Sequence, residues 1–244
     1  MRISFFEEFP TAKSLQKIKL ISWPSKLYLA APSLKEFNRI KAKIRSRKII
    51  EIVYWPILKK REGYWISPFS KQMALRHLFD ELRHQKIPVM LDLELPTTRN
   101  PWLYLTELFH FRKDKKLIHS FICSYPGEIS LCEYSAPEKS LQRLGLHYAN
   151  TKSKVMKMIY HSVHSYSDGK IRSELQRGVT KFGGKYIVGF GTIAVGVGGN
   201  EPILSPEQLE KDLRSAKEVG VKEVVLFRLG GLNKKYVKVL EKFV

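Results

Sequence analysis

Two carboxylates, Asp92 and Glu94, follow the apolar run Val89-Met90-Leu91. Because successive side chains of a β-strand point to opposite faces, residues 92 and 94 would share one face of a strand. Two carboxylates held this close resist ionising together, so one of them keeps a proton near neutral pH. We therefore predict that Glu94 is a general acid and that Asp92 holds its proton and orientation. The competing interpretation is structural, with Asp92 capping the next loop and Glu94 pairing with a basic residue.

The elements that would position this pair are short β-rich runs, which alternate with amphipathic helices about eight times along the 244 residues. Eight such units predict an α/β fold, a single-domain (β/α)8 TIM barrel over residues 1–244. The predicted strands cover residues 3–9, 26–31, 49–56, 89–95, 117–124, 155–162, 186–195 and 223–229. Helix starts are indicated by Ser33-Leu34-Lys35-Glu36, by Ser205-Pro206-Glu207-Gln208 and by Asn100-Pro101.

Function in a barrel of this kind is carried by residues at the carboxyl ends of the strands. The choice of Glu7 over Glu8 assumes that the barrel interior follows Ile3, Phe5 and Glu7, because the apolar pattern of the first strand does not set its register. The residues at predicted strand ends that we predict to bind substrate are Glu7, Tyr54, Trp55, Tyr160, His161 and Arg228.

Aromatic residues are frequent at the same predicted ends, and Tyr64, Trp65 and Trp102 lie just beyond them. Tyr and Trp rings present apolar faces with polar edges, which suits the faces of a pyranose ring. The pattern therefore favours a small-molecule or oligosaccharide substrate. For Trp55 and Trp65, packing beneath the loops is the competing interpretation.

Two short segments resemble chitinase-type (family 18) glycoside hydrolases. Leu91-Asp92-Leu93-Glu94 is similar to the end of their Asp-x-x-Asp-x-Asp-x-Glu motif, and Met158-Ile159-Tyr160-His161 is similar to their Met-x-Tyr-Asp. The resemblance implies that Glu94 protonates the glycosidic oxygen, that Asp92 is its hydrogen-bonding partner and that Tyr160 contacts the reacting end of the substrate. The sequence departs from the family at Ile87 and Met90, which stand in place of the two earlier Asp residues, and at His161.

Glycines after the seventh and eighth predicted strands support a second interpretation. Backbone amides freed by glycine make an anion site without a basic side chain, and barrels that bind phosphate use these two loops. Gly198, Gly199, Gly230 and Gly231 would then bind the phosphate of a phosphosugar, as in an isomerase, a synthase or an aldolase.

A third interpretation is a divalent-metal barrel, as in sugar isomerases and repair endonucleases, with His119, His161 and His164 near predicted strand ends. No His-x-x-x-His or His-Glu-x-x-His spacing occurs near the predicted site, and we predict neither a metal nor another cofactor. A sugar-binding barrel without catalysis is the fourth interpretation.

Composition excludes several other classes of protein. The formal net charge of +20 is dispersed along amphipathic stripes, so we expect solvated helix faces and no specific nucleic-acid site. Cys123 and Cys132 are too few for a disulfide framework or a four-thiolate zinc site. The sequence offers neither a secretory signal pattern nor an apolar run of about 20 residues, so we expect a cytoplasmic protein without a membrane span. The lysine-rich surface suits heat adaptation, and the oligomeric state stays open.

Overall fold

The computed structural model describes residues 1–96, 102–148, 152–164 and 166–244. Eight parallel strands close into a barrel in chain order, which confirms the predicted (β/α)8 class. The strands are β1 (Arg2–Glu7), β2 (Ser25–Ala31), β3 (Ile49–Pro56), β4 (Val89–Leu93), β5 (Ile129–Tyr134), β6 (Lys154–Met158), β7 (Tyr186–Gly191) and β8 (Glu223–Phe227).

Helices connect the strands on the outside of the barrel. Within the described ranges they are α1 (Ala12–Leu15), α2 (Leu34–Lys41), α3 (Gln72–Leu82), α4 (Trp102–Leu108), α5 (Phe111–Ser124), α6 (Glu138–Leu144), α7 (Asp168–Phe182), α8 (Pro206–Val219) and α9 (Lys234–Leu240). None of the helices in these ranges combines the length and apolar character that crossing a bilayer requires.

The predicted helix starts at Ser33 and Ser205 are confirmed. The Ser33 hydroxyl accepts the Glu36 amide at 3.2 Å, and the Ser205 hydroxyl accepts the Gln208 amide at 3.2 Å. Each serine thereby satisfies one of the backbone donors that the first turn of a helix leaves unpaired. The start predicted at Asn100-Pro101 lies outside the described residues.

The fifth strand was predicted wrongly. Residues 117–124 form the second half of α5, and the strand is β5, Ile129–Tyr134. Ile118 and Ile122 are both buried and lie four residues apart, which is the repeat of one helix face. The high apolar content of residues 117–124 favoured a strand, although the spacing of the buried positions is helical.

Side chains of the strands alternate between two apolar clusters. One lies between the barrel and the helices and includes Ile3 and Phe5, and the other fills the barrel and includes Phe6. The Phe6 ring packs 5.5 Å from Tyr28 and 5.4 Å from Trp55, measured between ring centroids. The register assumed for the first strand is therefore wrong by one residue, because Phe6 is the ring that fills the barrel and Phe5 packs beneath the helices.

Glu7 consequently points out of the barrel, toward the seam between β1 and β8. Its carboxylate accepts hydrogen bonds from Arg228 Nη1 at 3.0 Å, from the Gly230 amide at 2.7 Å and from the Phe9 amide at 2.9 Å. Burial raises the pKa of Glu7, and the charge of Arg228 and these donors act in the opposite direction. Glu7 is fully buried and the Arg228 side chain is 14% exposed, so removing Arg228 would leave an uncompensated buried charge at the seam.

Candidate active site

A cavity of about 220 Å³ opens among side chains at the carboxyl ends of the strands. Its acidic lining residues are Glu8, Asp92, Glu94 and Glu201, and no Lys or Arg occurs among the described residues that line it. The cavity thus has the opposite charge to the chain as a whole, whose formal net charge is +20.

Asp92 and Glu94 lie together at the end of β4, as the sequence predicted. Asp92 is 3% exposed and Glu94 is 7% exposed, and their carboxyl groups share a hydrogen bond. Tyr134, the last residue of β5, is a further hydrogen-bonding partner of Glu94. Burial raises the pKa of both carboxyls, and the charges of Glu94 and Glu8 raise the pKa of Asp92 further. The pair therefore retains a proton near neutral pH.

Glu8 is a third buried carboxylate in this cavity, on the loop after β1. The Tyr64 hydroxyl donates to Glu8 Oε1 at 2.7 Å. Burial raises the pKa of Glu8 to about 7, with smaller upward contributions from Glu201 and Glu94. Glu8 takes the place in the cavity that the sequence analysis assigned to Glu7.

Two of the six predicted substrate-binding residues, Trp55 and Tyr160, line the cavity with the carboxylate pair. Tyr54 faces the helices, with its ring 4.8 Å from that of Phe37. The side chain of His161 points to α8, where its Nδ1 lies 3.2 Å from Asp212 Oδ1. Glu7 and Arg228 are bound to each other at the β1–β8 seam.

Sequence reasoning missed Tyr134 and Glu201 and underestimated Glu8. Tyr134 could have been found from the alternation in β5, where Ile129 and Leu131 pack toward the helices and Cys132 packs inside the barrel. Glu201 carries no such signal. It reaches the cavity because its carboxylate accepts two amides of its own loop, those of Gly196 and Gly198, each at 3.0 Å.

All four glycine amides predicted to bind phosphate donate to acceptors within the protein. The Gly198 amide donates to Glu201, and the Gly199 amide donates to the Gly196 carbonyl at 3.1 Å. The Gly230 amide donates to Glu7 Oε2, and the Gly231 amide donates to the Arg228 carbonyl oxygen. An anion site needs free amides, so this arrangement gives the phosphate interpretation no support.

Gly231 serves close backbone packing instead, and we expect Gly231→Ala to destabilise the fold. A Cβ at this position would lie 1.8 Å from the Ile193 carbonyl oxygen. Because the backbone of residue 231 fixes the position of this Cβ and the carbonyl oxygen is itself a backbone atom, relief requires the loops after β7 and β8 to separate. The expected loss of stability is about 3 kcal/mol or more. Urea unfolding measures it. Gly184→Ala is the control, since a Cβ there meets nothing within 4 Å, and equal stability of the two variants would contradict the packing role.

The three histidines of the metal interpretation do not converge. His119 lies on α5, with Nε2 3.6 Å from Cys123 Sγ, whereas His161 binds Asp212 and His164 lines the cavity. Among the residues that the structure describes, no three His, Cys, Asp or Glu side chains are grouped as metal ligands would be.

Comparison with known proteins identifies the fold. No protein-family model and no curated protein sequence matches the chain. Solved structures do match it, including the PgaB (BpsB) glycoside hydrolase domain from Bordetella bronchiseptica, with a TM-score of 0.55, 11% identity and coverage of 97% of this chain and 95% of that chain. A class V chitinase from Pseudomonas fluorescens has a TM-score of 0.55 at 8% identity, over 98% of both chains. The catalytic domain of β-amylase from Paenibacillus polymyxa has a TM-score of 0.54 at 8% identity, over 100% of this chain and 97% of that chain.

The class that fold and site define is a TIM barrel with an acidic, aromatic-lined cavity at the carboxyl ends of its strands. At identities of 8–11%, the likeness to these glycoside hydrolases establishes the shared barrel. The chemistry depends on the residues of the cavity.

Proposed function

We propose that this protein is a carbohydrate-active enzyme, a glycoside hydrolase or transglycosidase, in which Glu94 is the general acid. The observation that carries the proposal is the buried, hydrogen-bonded Asp92–Glu94 pair at the end of β4. Its raised pKa values supply a carboxyl that is still protonated near neutral pH. Such a group is what cleavage of a glycosidic bond requires.

The reaction begins with the glycosidic oxygen within reach of Glu94. As the bond to the anomeric carbon breaks, the proton that Asp92 and Glu94 share passes through Glu94 to that oxygen, so the leaving group departs as a neutral alcohol. Asp92 and Tyr134 hold the Glu94 carboxyl in place through their hydrogen bonds. Positive charge develops on the sugar ring in this step, and the carboxylates of the cavity stabilise it. Water or an acceptor hydroxyl then adds to the anomeric carbon and releases a proton, which returns the pair to its starting state.

Aromatic rings supply the binding surface in this proposal. Trp55, Trp65 and Tyr160 line the cavity together with the carboxylates. Ring faces pack against the C–H groups of a pyranose, while the carboxylates accept hydrogen bonds from its hydroxyls. A cavity lined by both ring surfaces and carboxylates can make both kinds of contact with a sugar ring.

The test is a panel of oligosaccharides and aryl glycosides incubated with the wild-type protein, with released reducing ends or aryl alcohol measured. We expect cleavage or transfer with at least one class, and loss of that activity in Glu94→Gln. Binding of a glycan without turnover would contradict the proposed enzymatic activity and favour a sugar-binding barrel without catalysis.

We further propose a cytoplasmic location and no specific nucleic-acid site. Fractionation of cells tests the location. Binding of DNA and of RNA, measured at physiological salt, tests the absence of a specific nucleic-acid site, and an affinity tighter than about micromolar would contradict it.

A further inference from the structure

We infer that the β1 side of the cavity is a subsite for a positively charged group, so that the protein selects glycans with free amino groups over neutral ones. The inference rests on the proposed function for the sugar and adds to it the chemical class of the substrate. It depends on Glu8, a carboxylate of the cavity that is not the general acid.

The charge of the cavity favours a cationic ligand. Its described lining residues include four carboxylates and no Lys or Arg, and His164 is their one imidazole. The Arg228 guanidinium lies near enough to act on Glu8, but it is bound to Glu7 at 3.0 Å and to the Val195 carbonyl at 2.9 Å. A ligand entering the cavity therefore meets negative charge that no described lining residue neutralises, which favours a cationic group.

The Glu8 carboxylate has one oxygen without a hydrogen-bond donor among the described residues. Tyr64 donates to Oε1, whereas Oε2 is buried without a partner among the described residues. A buried carboxylate oxygen without a donor is unfavourable, and an ammonium group supplies both the missing N–H donors and the compensating charge. A sugar hydroxyl would supply a donor but no charge. An acetamido group in place of the ammonium group would also lack the charge and would be bulkier.

The backbone around Glu8 is adapted to hold its carboxylate. Tyr64 has φ 68°, in the left-handed region that non-glycine residues rarely adopt, and this conformation accompanies the hydrogen bond from its hydroxyl to Glu8. On the loop after β7, a Cβ on residue 196 would lie 3.0 Å from Glu8 Oε2 and 2.8 Å from the Phe227 ring. Glycine at 196 thus lets the loop after β7 close around the carboxylate.

Aromatic rings complete the subsite. Trp55, Tyr160 and Phe227 line the same cavity, and the face of an aromatic ring attracts a cation. The combination of carboxylates with ring faces recognises an ammonium group in preference to a neutral one, because both interactions depend on its positive charge.

The test compares three trisaccharides of one linkage, built from glucosamine, from N-acetylglucosamine and from glucose, so that only the substituent at carbon 2 differs. Binding is measured by calorimetry at pH 7 in a Glu94→Gln background, which slows turnover. We expect the glucosamine trisaccharide to bind at least about tenfold more tightly than the other two, the usual contribution of a charged hydrogen bond. Adding Glu8→Gln should bring the three affinities within about threefold of one another, with the remaining difference due to the other carboxylates.

Glu207→Gln is the control, because it removes one carboxylate from the solvent-exposed start of α8 and leaves the cavity unchanged. Thermal unfolding of each variant verifies that it folds. Equal affinity for the three sugars, binding of none of them, or a preference that survives Glu8→Gln would overturn the inference. Hydrolysis of a neutral glycan by the wild-type protein would still support the proposed function, so the two failures are distinguishable.

Discussion

Replacing Glu94 by Gln is expected to lower turnover by roughly 10²–10⁴-fold, the usual contribution of a general acid. The amide has the size of the carboxyl and can still accept a hydrogen bond from Tyr134, but it carries no transferable proton. The effect should appear in kcat more than in KM, because the proton is needed in the transition state and contributes little to binding. Initial rates on the best substrate of the panel measure it, with thermal unfolding recorded alongside.

Glu133 provides a matched control for this experiment. It is a buried carboxylate on the neighbouring strand, bound to His147 at 2.8 Å and to Lys157 at 3.2 Å, and it does not line the cavity. Glu133→Gln should lower stability and leave kcat of the folded protein unchanged. Asp92→Asn should reduce kcat less than Glu94→Gln does. Full activity in Glu94→Gln, or an equal loss in Glu133→Gln, would mean that Glu94 has a structural role.

The second large effect concerns stability against pH. Glu8 has a pKa of about 7 in the folded protein against an ordinary value of 4.5, because burial disfavours its charged form. Between these two values the folded state holds more protons than the unfolded state, so stability falls as pH rises through this window. The expected loss of stability is on the order of 3 kcal/mol by pH 8. Asp92 and Glu94, whose pKa values are also raised by burial, act in the same direction.

A comparison of wild type with Glu8→Gln isolates this effect from the titration of the rest of the molecule. At pH 5 the wild-type carboxyl is protonated and neutral, so the two proteins should have similar free energies of unfolding. At pH 8 the variant should be more stable by roughly 3 kcal/mol, because it avoids burying a charge. Urea unfolding at pH 5, 6, 7 and 8 gives the difference. A difference that does not change with pH would show that Glu8 has an ordinary pKa.

The fold was predictable where the spacing of apolar residues and the helix-capping residues indicated the same element. The hydroxyls of Ser33 and Ser205 cap helices, and an apolar helical stripe follows each of them in the sequence. The short apolar run of β4 indicated a buried strand. Residues 117–124 and Ile129–Tyr134 are comparably apolar, and only the face that each buries separates them. A run of mixed apolar residues does not reveal that face until its packing partner is known.

The site was predictable in part for the same reason. Asp92 and Glu94 share a face whatever the register of β4, because they lie two residues apart. On β1 the adjacent Phe5 and Phe6 are equally apolar, so the choice between Glu7 and Glu8 depended on which ring fills the barrel. A shift of one residue moves every side chain of a strand to the other face. The one-residue error on β1 therefore assigned Glu7, in place of Glu8, as a carboxylate of the cavity.

The seam between β1 and β8 also sets the order in which the chain can fold during synthesis. Glu7 leaves the ribosome 221 residues before Arg228, the partner that neutralises it. Until β8 (Glu223–Phe227) is made, β1 and β7 have open edges that can pair with other chains. The barrel therefore closes in a late step of long sequence separation, which slows folding. A nascent chain that ends before Glu223 is expected to aggregate or to depend on a chaperone, and completing the last strand would release it.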